Sequence, residues 1–184
     1  MKRTLLCLFF IFLLVGCGEV QTTEVNSLEA PKVDRRSPEL KFVEDEMDNL
    51  IRSASSLVDV TWENIAESMD NYQFGTLSTE SIISDLELAK DQYNYKITEI
   101  RSFDAPSELE FSAAATVHIN NALETLAKAI QGKIDVIDYM MVVVESGEGI
   151  SQQTIDDIEG KLVLPNGLIQ LAAKEYGLAL ENVR

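Results

Sequence analysis

Four successive segments of this chain carry apolar residues at steps of three and four positions. That spacing places the apolar side chains on one face of an α-helix, because a helical turn takes 3.6 residues. Short stretches rich in Ser, Gly, Asp and Pro separate the segments, and short connections favour antiparallel neighbours. The sequence therefore predicts an all-α domain over residues 38–184, built as an up-down-up-down antiparallel four-helix bundle.

Several residues mark where the predicted helices begin and end. Ser37 before Pro38 is typical of a helix start, Ser78 or Thr79 begins the second helix, and the fourth begins near Ser151. The third helix is predicted to run from about Leu109 to Val144 and the "SGEG" stretch that follows. Pro165 interrupts the fourth segment, and the sequence predicts a kink or break there, because proline removes a helical hydrogen bond.

The N-terminus has the pattern of a secretory signal. Lys2 and Arg3 precede an uncharged apolar run from Leu5 to Val15. The run is shorter than the roughly 20 residues needed to cross a bilayer. Cleavage is therefore expected, with an uncleaved short anchor as the alternative.

The end of the apolar run resembles the lipobox of bacterial lipoproteins. The matching residues are Leu14, Val15, Gly16 and Cys17. The resemblance implies that Leu14, Val15 and Gly16 are recognised by the signal peptidase, that residues 1–16 are removed, and that a diacylglyceryl group is attached to Cys17. An ordinary cleaved signal with a chance cysteine is the competing interpretation.

Residues 17–37 read as the lipidated cysteine and a flexible tether, since they show no sustained apolar period. A flexible chain of this length has an end-to-end distance of roughly 25 Å. We therefore expect the helical domain to be lipid-anchored on the extracytoplasmic face of the cell membrane. Residues 102–130 also resemble the middle of small uncharacterised helical lipoproteins of Gram-positive bacteria, which implies the same bundle and no particular activity.

Charge and cysteine content exclude several classes of function. The chain has 31 acidic and 15 basic residues, for a net charge of −16. Such a surface repels nucleic acid, so we expect no nucleic-acid partner. The other cysteine, Cys7, lies in the predicted signal, so the mature chain has neither an intramolecular disulfide nor a cysteine zinc site.

No catalytic, metal or cofactor motif assembles in the sequence, and we expect a protein that is not an enzyme. The chain has one histidine, His118, and the residue three positions before it is Ala115, so the paired Glu-x-x-His motifs of a di-iron bundle are missing. We interpret His118 as a residue at the margin of a helix interface rather than a base. The acidic runs at 44–48 and 156–159 are interpreted as solvated helix faces.

One segment departs from the amphipathic pattern. From Val136 to Val144 only Asp138 is polar, so the predicted third helix is apolar on every side there. From the predicted lengths, this helix extends about 20 Å beyond the turn between the first two. We expect a projecting tip that docks a protein partner or a second copy, through Val136, Ile137, Tyr139, Met140, Met141, Val143 and Val144. The alternative is that helix boundaries are misplaced or Gly132 breaks the helix, so that this segment folds into the core.

These features favour a non-enzymatic adaptor or protein-interaction module at the cell envelope. The alternative is a carrier of a small molecule or peptide, with a pocket inside the bundle lined by Tyr93, Tyr139, Met140 and Tyr176. An enzymatic alternative needs His118 to lie in a cleft beside a serine.

Overall fold

The computed structural model describes residues 34–184, which are helical apart from short connections. The first helix is continuous and has three parts: α1 (Pro38–Lys41), a π-helical turn (Phe42–Met47) and α2 (Asp48–Gln73). The other three are α3 (Thr79–Arg101), α4 (Ala113–Ser146) and α5 (Gln152–Glu181). These four helices pack against one another, and the predicted all-α four-helix fold is confirmed.

A serine caps the start of each of the four helices. The side-chain oxygens of Ser37, Ser78, Ser112 and Ser151 each accept a hydrogen bond from a backbone N–H three residues later. Such caps satisfy donors that the first helical turn leaves free. The sequence-based starts of the first, second and fourth helices are close to those observed, whereas α4 begins at Ala113 and not near Leu109.

Contacts between neighbouring helices show their relative direction. The Tyr93 hydroxyl donates to the Val58 carbonyl at 3.2 Å, and Ser68 Oγ donates to Asp85 Oδ2 at 2.7 Å. Residue numbers therefore rise along α2 as they fall along α3, and the two helices run antiparallel. His118 with Glu175 and Tyr139 with Asp157 show the same for α4 and α5. The up-down order of the whole bundle stays a prediction.

The α4–α5 interface is the most extensive in the bundle. Each helix buries a row of residues at heptad spacing, which keeps one seam facing its partner. The buried rows are Ala115, Ala122, Ala129 and Val136 on α4, and Ile158, Pro165, Ala172 and Ala179 on α5. Because most of these side chains are small, the two helix backbones can approach closely.

Pro165 does not break the fourth helix, so that part of the prediction is wrong. The α5 helix is continuous from Gln152 to Glu181. The Pro165 ring lies against Gly132, where an added Cβ would be only 2.7 Å from Pro165 Cγ. Packing against a residue without a side chain offsets the hydrogen bond that proline removes. A bend at this position stays a prediction.

Three phenylalanines close the end of the bundle at which the first helix begins. The Phe42 ring stacks on Phe103 with a centroid distance of 5.3 Å and meets Phe111 edge-on at 5.7 Å. Phe103 and Phe111 belong to the connection between α3 and α4. Burial of this cluster holds the connection against the core, which explains why α4 starts later than its apolar pattern suggests.

The predicted projecting tip is absent, and the exposed docking flank assigned to residues 136–144 is wrong. The Tyr72 hydroxyl donates to the Val144 carbonyl at 3.4 Å, so the ends of α2 and α4 lie side by side. The apolar run is covered because α4 packs against both α3 and α5. Val136, Ile137, Met140 and Val144 are buried, while Tyr139, Met141 and Val143 are half-buried.

Candidate functional site

An exposed apolar surface lies on the α2–α3 face of the bundle. Its members are Leu57 and Val60 on α2 and Leu88 and Tyr95 on α3. Leu57 is half-buried, whereas Val60, Leu88 and Tyr95 are 53%, 59% and 74% exposed. Leu88 and Tyr95 are seven residues apart, and this spacing returns to the same side of a helix after two turns. The four side chains therefore form two facing rows in water, rather than isolated apolar residues.

These rows border a groove with two connected depressions, and we refer to both together as the α2–α3 groove. The larger has a volume of about 760 Å³ and the smaller about 320 Å³. Gln92 lines both depressions, so they adjoin. The larger is lined by Ser53, Ser56, Leu57, Val60, Asp91, Gln92, Tyr95 and Lys96. The smaller is lined by Thr61, Asn64, Ile65, Glu67, Ser68, Asp85, Leu88, Ala89 and Gln92.

The floor of the groove is held by hydrogen bonds between its two helices. Thr61, which is buried, donates from Oγ1 to Gln92 Oε1 at 3.2 Å. One turn away, the buried Tyr93 hydroxyl donates to the Val58 carbonyl, and burial raises the pKa of Tyr93. These cross-links set the spacing of α2 and α3, so the groove is preformed.

The groove lining is acidic. Glu67, Asp85 and Asp91 contribute carboxylates, and Lys96 is the only cation among the lining residues. Lys96 Nζ lies 2.5 Å from Glu99 Oε2 and also donates to Ser53 Oγ. Because Glu99 neutralises this lysine, the groove presents apolar side chains beside a net negative charge.

A lysine inside the bundle forms a second unusual site. Lys133 on α4 is only 4% exposed, and its Nζ lies 4.5 Å from the centre of the Trp62 ring on α2. Burial lowers the pKa of Lys133 to about 8, and the negative charge of Asp59 offsets part of that effect. Stacking over an indole ring partly replaces the hydration that the ammonium loses.

His118 lies between α4 and α5, at a helix interface. Its Nδ1 is 2.7 Å from Glu175 Oε2, and Asn121 Nδ2 donates to the same oxygen at 3.3 Å. The hydrogen bond with His118 lowers the pKa of Glu175. Within residues 34–184, no serine takes part in these hydrogen bonds. The arrangement joins two helices, and the described residues do not supply it with a nucleophile.

The acidic runs noted in the sequence make ion pairs and local hydrogen bonds. Arg36 binds both oxygens of Asp45 at 2.8 and 2.9 Å, and it also contacts Glu44, which Arg184 contacts from the other end of the chain. Asp156 and Asp157 accept hydrogen bonds from Gln152 and Gln153. In the described part of the chain, no three His, Cys, Asp or Glu residues come together as a metal site.

The four residues expected to line a carrier pocket are separated by the fold. Tyr93 and Met140 are buried in the core. Tyr139 hydrogen-bonds to Asp157, and Lys161 lies over its ring at 4.7 Å. Burial raises the pKa of Tyr176 to about 12. Two of the four thus fill the core and are not exposed to a ligand.

The predicted lipidation site lies outside the described residues. Leu14, Val15, Gly16 and Cys17 precede residue 34, and so does most of the predicted tether. Over residues 34–184, none of the helices combines the length and apolar character needed to cross a bilayer.

No protein-family model, curated protein or solved structure matches this chain. The α2–α3 groove was missed by sequence reasoning, although a signal for it was present. Val60, Leu88 and Tyr95 are large apolar residues that fall between the core positions of their own helices. Asking which large apolar residues lie off the buried stripe would have identified them.

Proposed function

We propose that this protein is an adaptor anchored by lipid at Cys17 to the extracytoplasmic face of the cell membrane, and that it binds another protein through the α2–α3 groove. The observation that carries the proposal is the preformed groove with Val60, Leu88 and Tyr95 exposed along it. Exposed apolar surfaces of this kind mark interaction sites in soluble domains. The residues first expected to bind the partner, in 136–144, are mostly core and are no longer proposed.

The start of the first helix supports a tethering role. Arg36, directly before that helix, is held by two carboxylates at the end of the bundle. Val60 lies 22 residues beyond Pro38 in the same continuous helix, so it stands about 30 Å from the point where the tether would enter. A tether with a reach of roughly 25 Å would keep the groove within a few tens of ångströms of the lipid.

Attachment is tested by metabolic labelling with an alkyne-tagged palmitate and by membrane fractionation. The wild-type protein should be labelled and should sediment with membranes, while Cys17→Ser should be unlabelled and should leave the membrane fraction. Protease added to cells stripped of their outer layers should digest the wild-type domain. Equal labelling of both proteins, or protection from protease, would remove the anchored and extracytoplasmic parts of the proposal.

Binding of a protein partner is tested by photo-crosslinking in intact cells. A photoreactive residue at Tyr95 should yield one adduct of fixed mass, which disappears when Val60→Asp is also present. The same residue at Val163, which is 70% exposed on α5, serves as the control position and should not yield that adduct. An adduct that forms equally from both positions would contradict the assignment of the groove.

A further inference from the structure

We infer that the partner segment that occupies the α2–α3 groove is an amphipathic α-helix whose apolar face is flanked by Lys and Arg. This inference rests on the proposed function and adds the chemistry of the partner. Shape and charge support it separately.

The shape of the groove favours a helix. Two antiparallel helices form its walls, and a third helix can lie along such a groove with its side chains in the spaces between theirs. The lining extends on α2 from Ser53 to Ser68, which is about 22 Å and matches a helix of about 15 residues. Apolar side chains along the floor would meet those of the ligand at every one or two turns.

The charge of the groove favours a basic ligand. Glu67, Asp85 and Asp91 remain without an opposing cation in the lining, because Lys96 is paired with Glu99. Lysine or arginine residues on both sides of an apolar face would meet these carboxylates at the edge of the groove.

The same charge argues against other occupants. A second copy of this chain would bring an identical acidic groove, and the net charge of −16 adds to the repulsion. Anionic lipid head groups are disfavoured for the same reason. A basic helix from another protein is the occupant that satisfies both the apolar rows and the carboxylates.

The test uses designed peptides and the full chain in a mild detergent. The probe is a fluorescent peptide of about 16 residues with Leu at helical i, i+3, i+4 and i+7 positions and Lys on both flanks. A second peptide has the same composition with the Leu positions scrambled, and a third replaces each Lys with Glu. Fluorescence anisotropy gives the dissociation constants, and circular dichroism confirms that each protein variant is folded.

The amphipathic Lys peptide should bind, and both other peptides should bind at least about tenfold more weakly. Val60→Asp and Tyr95→Asp should each weaken binding by about tenfold or more, whereas Val163→Asp on α5 should change it by less than about twofold. Asp91→Asn should weaken binding and reduce its dependence on salt.

Several results would overturn the inference. These are equal binding of the scrambled peptide, equal binding of the Glu peptide, insensitivity to Val60→Asp and Tyr95→Asp, and dimers seen by light scattering that those two variants abolish. If Cys17 proves unlipidated while the Lys peptide binds as expected, the proposed location fails and the groove assignment stands. If Cys17 is lipidated and no peptide binds, the opposite holds.

Discussion

The side-chain nitrogen of Lys133 lies 4.5 Å from the centre of the Trp62 ring, inside a bundle whose other central residues are almost all apolar. The pair joins α4 to α2, which share no extensive interface. A buried ammonium is costly because it loses hydration, and here burial lowers the pKa to about 8. Lys133 therefore links the stability of the bundle to pH.

Wild-type stability should rise as pH increases from about 8 to 10.5. In this range the unfolded chain still binds a proton at Lys133, whose pKa there is near 10.5, while the folded protein has released it. The penalty is fully present below pH 8, and its removal is worth about 3 kcal/mol. Urea unfolding at several pH values measures it, as the difference between the wild type and Lys133→Met.

Lys133→Met should unfold about 1–2 kcal/mol less readily than the wild type at pH 7, since the lost ring contact is smaller than the relieved burial penalty. The advantage should shrink as pH rises to 10.5. Lys161→Met, which removes an exposed lysine over the Tyr139 ring, is the matched control. A constant stability difference between wild type and Lys133→Met at all pH values would contradict the assignment.

Trp62 should report the charge of Lys133 directly. It is the only tryptophan in the chain, so intrinsic fluorescence has a single indole source. Loss of the proton from Lys133 removes a positive charge next to the ring, and emission should change with a midpoint near pH 8. The transition should be absent in Lys133→Met. Its persistence in that variant would assign it to another group.

Gly132→Ala should destabilise the protein by about 1–3 kcal/mol, because the new Cβ would lie 2.7 Å from the rigid Pro165 ring. The double variant with Pro165→Ala should recover part of the loss, since Cγ is then removed. Gly160→Ala on α5 is the control: nothing lies within 4 Å of its Cβ, and it should be neutral or stabilising by up to about 1 kcal/mol. Thermal unfolding of the four proteins completes the comparison.

Met140→Lys should destabilise the bundle by about 3–5 kcal/mol, because Met140 is buried and its replacement places a charge in the core. Val142→Lys, two residues away and 64% exposed, should change stability by less than about 0.5 kcal/mol. Urea unfolding distinguishes the two. Equal tolerance of both changes would restore the view that this segment of α4 is an exposed surface.

Local chemistry made much of the helix pattern readable in advance. Ser37 with Pro38 and Ser78 before Thr79 act through hydrogen bonds and backbone angles within one turn, so neighbouring residues suffice to find them. Gly147 ends α4 with a φ of 69°, in the left-handed region that glycine adopts without strain. The apolar stripes likewise identified most core positions of α2 and α3.

Other features depended on residues distant in the chain. Pro165 is tolerated within α5 because Gly132 on α4 leaves room for its ring. The start of α4 moved to Ala113 because Phe103 and Phe111 pack on Phe42. Residues 136–144 became core because α4 has neighbours on two sides, and no periodicity within a single helix reports how many neighbours it will have.

The sequence alone determined that the chain forms four helices, with the caps and stripes that begin them and orient them toward a core, because these signals act over one or two turns. Only the tertiary structure decided which apolar residues remain outside. Packing order and register place Val60, Leu88 and Tyr95 on an open face and Met140 in the interior, although all four are apolar residues within helices. Burial is a property of the assembled neighbours, and so the α2–α3 groove exists only once the helices have met.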